Sequence, residues 1–281
     1  MPAASPTVRR RRLALELRRL REASAMTIEQ VAKSLECSDS KISRIETARV
    51  RATPRDVRDL LALYGVTGTR QEGLIQLARE ARHSGWWHQA YGDLPVRALV
   101  GLEDAAASIS YYVQQLIPGL LQTEDYARAV LRAIRLDLGP DEVERRVGLR
   151  MARQSLLTRD EPPELWAVID EAVLRRVVGG QEVMRQQLKR LAEAAARPNL
   201  TLQVLPFAAG EHAGMDGPFT ILGFPDPADP DVVYLEHTTS DLYLEDPEAT
   251  ARYVRLFDHL RAESLGPDDS AAFFARVAEE R

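Results

Sequence analysis

Apolar positions in the first eighty residues recur at helical spacing. Leu13, Leu17 and Leu20 fall at i, i+4 and i+7, while Arg9, Arg12, Glu16 and Arg19 take other faces, the stripe of an amphipathic helix. Thr27 opens a second helix, three residues ahead of Gln30 as in a reciprocal capping box, with Ile28, Val31, Ala32 and Leu35 inward. Glu36-Cys37-Ser38 breaks the period, and Ser38 caps a third helix with Ile42 and Ile45 inward. Thr53-Pro54 starts a fourth, with Pro at the first helical position and Asp56 near the positive end of the dipole. Val57, Leu60, Leu61 and Tyr64 make its stripe, and Gly65 ends it. A fifth helix is predicted over 69–81, with Leu74, Leu77 and Ala78 inside.

The pattern changes after residue 82. His83-Ser84-Gly85-Trp86-Trp87 and Tyr91-Gly92-Asp93-Leu94-Pro95 read as a non-helical joint. Trp86 and Trp87 are expected to pack between domains rather than line a ligand pocket. Helical patterns follow at 98–113, 123–136, 140–158 and 180–196. Strand-like runs lie at 165–169, 200–205, 219–224, 232–235 and 242–244, the last three as an antiparallel meander. Asp246-Pro247 and Gly266-Pro267 open closing helices at 247–263 and 267–279. The expected fold class is therefore α+β: a five-helix helix-turn-helix bundle at 1–82, then a mixed helical and antiparallel-sheet domain at 83–281.

A short second helix and a tight turn make helices two and three cross steeply, with the small Ala32 at the close approach. The third helix then has one face free. Asp39, Ser40, Lys41, Ser43 and Arg44 lie off its Ile42/Ile45 stripe, and a helix of this kind fits the DNA major groove with its N-terminal side chains at base edges. Arg44 lies one turn beyond Ser40 and is the candidate guanine reader. Ser40 hydrogen-bonds without strong base preference, and Asp39 either accepts from cytosine or favours the helix N-terminus. Lys41, Arg49 and Arg51 are phosphate candidates, where charge and position suffice. Thr27, Gln30 and Ser38, at the two helix starts, complete the candidate DNA-facing set.

Charge supports this division of labour. Residues 1–70 carry fifteen Lys and Arg against eight Asp and Glu, a net of +7, within a chain of net charge −5; the remainder carries −12. A basic head on an acidic body points to a polyanionic partner for the head alone. The length of 281 residues suits two domains, and 45% apolar with 28% charged residues excludes a disordered chain or a coiled-coil rod. The single cysteine, Cys37, reads as a small hydrophobe and excludes an internal disulfide. Charge interrupts the apolar run Leu13–Leu17 too early for a signal peptide or membrane span, so a cytoplasmic protein without membrane contact is expected.

Other polar groups have plainer readings. Glu211-His212 with Asp216, and Glu236-His237, lack metal-ligand spacing. Gly210, Gly214 and Gly217 precede a strand where a phosphate loop needs a helix. Arg150, Arg153 and Arg159 read as a solvated face, with contact to an anionic effector as the alternative. No nucleophile–base pair is apparent, so no enzyme, metal or cofactor is expected.

Ser40-Lys41-Ile42-Ser43-Arg44-Ile45-Glu46, following Thr27-Ile28-Glu29-Gln30-Val31-Ala32-Lys33-Ser34-Leu35, resembles the lambda-repressor-like (xenobiotic-response-element type) DNA-binding domain. Three positions depart from it. Glu36 stands where a turn glycine is usual, Ile28 where a phosphate-contacting Gln is usual, and Thr47-Ala48 where a Gly usually follows Ile-Glu. Further on, Trp86-Trp87, the run Pro118-Gly119-Leu120-Leu121-Gln122-Thr123-Glu124, residues 150–154, Asp170-Glu171-Ala172-Val173-Leu174, Gly217-Pro218-Phe219 and Tyr234-Leu235-Glu236 occur in order. The set resembles an actinobacterial family of helix-turn-helix regulators with a C-terminal domain of unknown function, described as antitoxin-like. The 38–46 helix and the basic head lead to the expectation of a homodimer that binds double-stranded DNA, and the resemblance implies a transcriptional regulator. It also implies a C-terminal domain receiving a ligand or a small protein encoded nearby, or, alternatively, an antitoxin-like protein that binds and neutralises such a partner.

Overall fold

The computed structural model describes residues 6–82, 86, 91, 97–238 and 240–281. Apart from Trp86 and Tyr91, the joint expected at 83–95 lies outside them. The chain divides into two compact units, residues 1–105 and 106–281.

In the first unit, α1 (Pro6–Ala23), α2 (Ile28–Ser34), α3 (Asp39–Glu46), α4 (Pro54–Leu63) and α5 (Gly68–Glu80) form where the apolar spacing placed five helices. Leu17, Val31, Ile42, Val57 and Leu61 are buried together, so each helix contributes its predicted stripe to one core. Cys37 packs against that core as a half-buried hydrophobe. A sixth helix, α6 (Arg97–Ala105), packs on α1, so the unit extends beyond residue 82. Trp86, half exposed, donates from its indole N–H to Asp104 at 3.3 Å within the same unit.

Local chemistry sets the helix ends. Thr27 accepts from the Gln30 backbone N–H at 3.2 Å while the Gln30 amide oxygen accepts from the Thr27 N–H at 2.9 Å. The Thr53–Asp56 pair does the same for α4. At the C-termini of α1, α2 and α3 the chain turns through a left-handed residue: Ala25 (φ 52°), Glu36 (φ 51°) and Ala48 (φ 54°). In each, the next N–H reaches back five residues, as in Cys37 to Ala32 at 2.9 Å and Arg49 to Arg44 at 2.9 Å, the Schellman closure. At the end of α4 it is Gly65 (φ 71°) that occupies the equivalent place.

The second unit is built on a six-stranded sheet in the order β3-β2-β1-β4-β5-β6: β1 (Ser108–Val113), β2 (Glu164–Asp170), β3 (Leu200–Leu205), β4 (Phe219–Gly223), β5 (Val232–Glu236) and β6 (Asp241–Leu244). The meander β4-β5-β6 is antiparallel as expected, and β1 pairs antiparallel with β4. The other half corrects the expectation of an antiparallel sheet: β1, β2 and β3 run parallel. Parallel neighbours need helical crossovers. These are supplied by α7 (Glu124–Ile134) with α8 (Pro140–Arg153), and by the short α9 (Glu171–Arg175) with α10 (Gln181–Ala195).

The stretch 98–113, expected as one helix, splits into α6 and β1. Ser-Ile-Ser-Tyr-Tyr-Val is rich in β-branched and aromatic residues, and pairing on both sides outweighs the helical period. Tyr112, Val168, Phe219, Ile221 and Val233 line one sheet face and pack on Phe257 and Leu260 of α11 (Pro247–Glu263). The edge strand β3 is closed from outside. Leu265 N–H donates to Val204 O at 2.9 Å, and Ser270 Oγ, on α12 (Pro267–Glu279), accepts from Val204 N–H at 2.9 Å.

Candidate nucleic-acid interface

Helix α3 divides sharply between its faces. Ile42 and Ile45 are 1% and 3% exposed, whereas Asp39, Ser40, Lys41 and Arg44 are open to solvent and Ser43 is half-buried. The residues predicted to read bases therefore share one accessible side of one helix. Ser38 caps it, its Oγ accepting from Lys41 N–H at 3.3 Å and lying 3.2 Å from Ser40 Oγ. Arg44 folds back one turn, its guanidinium donating to Ser40 O at 2.9 Å and Ser40 Oγ at 3.0 Å. These are exposed bonds that water replaces at little cost, so the fork can swing outward.

The other predicted residues sort by their partners. Thr27 and Gln30 are exposed but committed to the cap of α2. Arg49 and Arg51, in the α3–α4 loop, are exposed, and Arg51 donates to Arg82 O at 3.4 Å. Burial, and to a lesser degree the nearby Arg51 charge, lower the Arg10 guanidinium of α1 from its ordinary value. Lys41 Nζ lies 2.6 Å from Asp56 Oδ1. This hydrogen bond raises the ammonium above its usual range. Burial pushes the Asp56 carboxyl up, but bonds from Lys41 and Thr53 overcome it and leave the group below the ordinary carboxylate value.

One pair that positions the helix was not among the predicted residues. Glu46, at the end of α3, accepts from Arg21 of α1 through both oxygens, at 2.8 Å and 3.0 Å, with side chains only 5% and 12% exposed. Arg21 also donates to Met26 O at 2.9 Å. The available signal was that Glu46 lies four residues after the core Ile42, where a carboxylate is buried and must be paired.

In the second unit, His212 Nε2 lies 3.8 Å from Asp170 Oδ2 and its Nδ1 accepts from Gly214 N–H at 3.2 Å. Gly214 runs so close to Tyr112 that a Cβ there would sit 2.4 Å from the ring.

A short helix, a tight left-handed turn and a second helix with an exposed polar edge make a helix-turn-helix head of the DNA-binding kind. Residues 12–74 match the family described as helix-turn-helix domain. Residues 96–276 match the family described as domain of unknown function (DUF5753), and the chain belongs to that family. No curated protein and no solved structure matches the chain. Among the described residues no helix is long and apolar enough to cross a membrane.

Proposed function

We propose that the chain is a sequence-specific transcriptional regulator that binds double-stranded DNA as a dimer through α3. The observation that carries this reading is the exposed edge of Asp39, Ser40 and Arg44, with half-buried Ser43 beside them, on a helix whose opposite side is locked in the core. Arg44 leaves Ser40 to engage a guanine, Ser40 and Ser43 contact neighbouring edges or phosphates, and Arg49 and Arg51 meet the backbone. Two heads in a dimer present their α3 helices about 34 Å apart, one turn of duplex, and so favour a near-palindromic site.

The second unit receives the signal, as a ligand or a small protein partner. It has its own core and carries the chain's acidic excess. That excess also favours the second reading, an antitoxin-like role in which this unit captures and neutralises a small basic protein.

The test is fluorescence anisotropy on a duplex selected from a random-sequence pool by the wild-type chain. Arg44→Ala is expected to cost about 1–3 kcal/mol on that duplex and little on a scrambled one. An unchanged preference between the two duplexes removes the assignment of Arg44.

A further inference from the structure

Sequence position alone makes Lys41 a phosphate contact, yet its ammonium is already engaged. Its Nζ is 2.6 Å from Asp56 Oδ1, while Asp56 Oδ2 accepts from the Thr53 hydroxyl at 2.7 Å and the Thr53 N–H at 3.0 Å. The carboxylate thus ties the first turn of α3 to the cap of α4 across the loop that carries Arg49 and Arg51. Its side chain is only 20% exposed, whereas that of Lys41 is 46% exposed.

An ion pair of this kind has no net charge to offer a polyanion. Affinity for any duplex grows with each phosphate neutralised, regardless of sequence, with a slope of about −0.9 in log K against log salt. A lysine held by a carboxylate releases no counterion. Pulling it onto a phosphate would also leave the Asp56 charge facing the same backbone.

We propose that Asp56 is a specificity-determining residue: it withholds Lys41 from the DNA backbone and makes it a positioning residue for the reading turn of α3. Sequence-blind affinity is thereby held down, while Asp39, Ser40 and Arg44 stay aligned on a helix anchored at its start by Lys41–Asp56 and at its end by Glu46–Arg21. The inference rests on the proposal that α3 reads DNA.

The experiment uses the full chain, the selected duplex and a scrambled duplex of equal length, each titrated from low to high salt. Asp56→Asn keeps an oxygen for the Thr53 N–H but frees Lys41. Its salt slope on the scrambled duplex is expected to steepen by about 0.9, which corresponds to roughly fivefold tighter binding near 0.15 M salt. The freed charge strengthens both duplexes alike, and the preference for the selected duplex is expected to fall because Lys41 no longer holds the reading turn in place. Lys41→Met is expected to keep the wild-type slope and lose affinity only for the selected duplex, with Lys41→Arg restoring it. Circular dichroism and melting verify that each variant is folded. If Lys41→Met flattens the slope by about 0.9, Lys41 is a phosphate contact and the proposal is overturned. An Asp56→Asn slope equal to wild type overturns it as well. A wild-type chain that binds neither duplex instead removes the DNA-reading proposal itself.

Discussion

Replacing Ala25, Glu36 and Ala48 by glycine, singly and together, is expected to stabilise the head. All three have φ between 51° and 54°, a region where a side chain crowds its own backbone. A non-glycine residue there costs about 1–2 kcal/mol, and glycine gives back about 0.4–1 kcal/mol through its freer unfolded chain, so each exchange gains roughly 0.5–1 kcal/mol. The sites end three different helices, and their effects should add to about 2 kcal/mol. In a unit of about 100 residues that raises Tm by about 10 °C. The readout is calorimetry of the full chain, with native-state hydrogen exchange of the buried amides of Leu17, Val57 and Leu60 isolating the head. Ala62→Gly, in the last turn of α4 where φ is not positive, is the opposing control and should lose up to about 0.5–1 kcal/mol. A triple variant no more stable than wild type, or one that tracks the control, refutes the reasoning. It would mean that neighbouring contacts of the native side chains outweigh the backbone conformation.

Glu46→Gln removes the nearer carboxylate from the Arg21 guanidinium, with Glu22 remaining at 3.7 Å, and is expected to cost about 2 kcal/mol in urea unfolding; Arg21→Met with Glu46→Leu should recover most of that loss, and an unaltered single variant would deny the pair any role. Because the Asp56 carboxyl sits below its unfolded value, its contribution is present above about pH 4, the unfolded carboxylate range, and is lost as pH falls through the folded value. The gap in urea midpoint between wild type and Asp56→Asn should accordingly be widest near neutrality and close in acid, and a gap constant with pH contradicts the shift. Gly214→Ala forces a methyl to 2.4 Å from the Tyr112 ring and should cost about 2 kcal/mol, with an unshifted melt of the second unit as the contrary result.

What could be read from the chain beforehand was whatever the chain decides locally. The Thr27–Gln30 box, the Ser38 cap and the Thr53-Pro54 start depend on neighbours three residues apart, and all appear where the spacing puts them. The position of the turn at Glu36 likewise follows from the break in the helical period, while its left-handed backbone agrees with the glycine usual there in the resembled family. Pairings between distant residues left little trace. Arg21 and Glu46 are 25 positions apart, and Lys41 and Asp56 are 15; each looks like an ordinary surface charge until the helices cross. Strand β1 was hidden for a related reason. Its Ile109 and Tyr112 extend the helical spacing of α6, and only the partners β2 and β4, encoded more than fifty residues later, decide in favour of a strand. Once β1 was read as helix, the parallel half of the sheet had no first member.

The covering of β3 has a consequence for synthesis. Val204 is made about sixty residues before Leu265 and Ser270, the groups that occupy its outer backbone. At ribosomal speeds of roughly 5–20 residues per second, the growing polypeptide carries this raw border for about 3–12 seconds before its own sealing segment emerges. During that interval neighbouring nascent chains compete for it. The protein's yield is thus expected to depend partly on translation rate, with a slower ribosome between β3 and α12 lengthening the exposure.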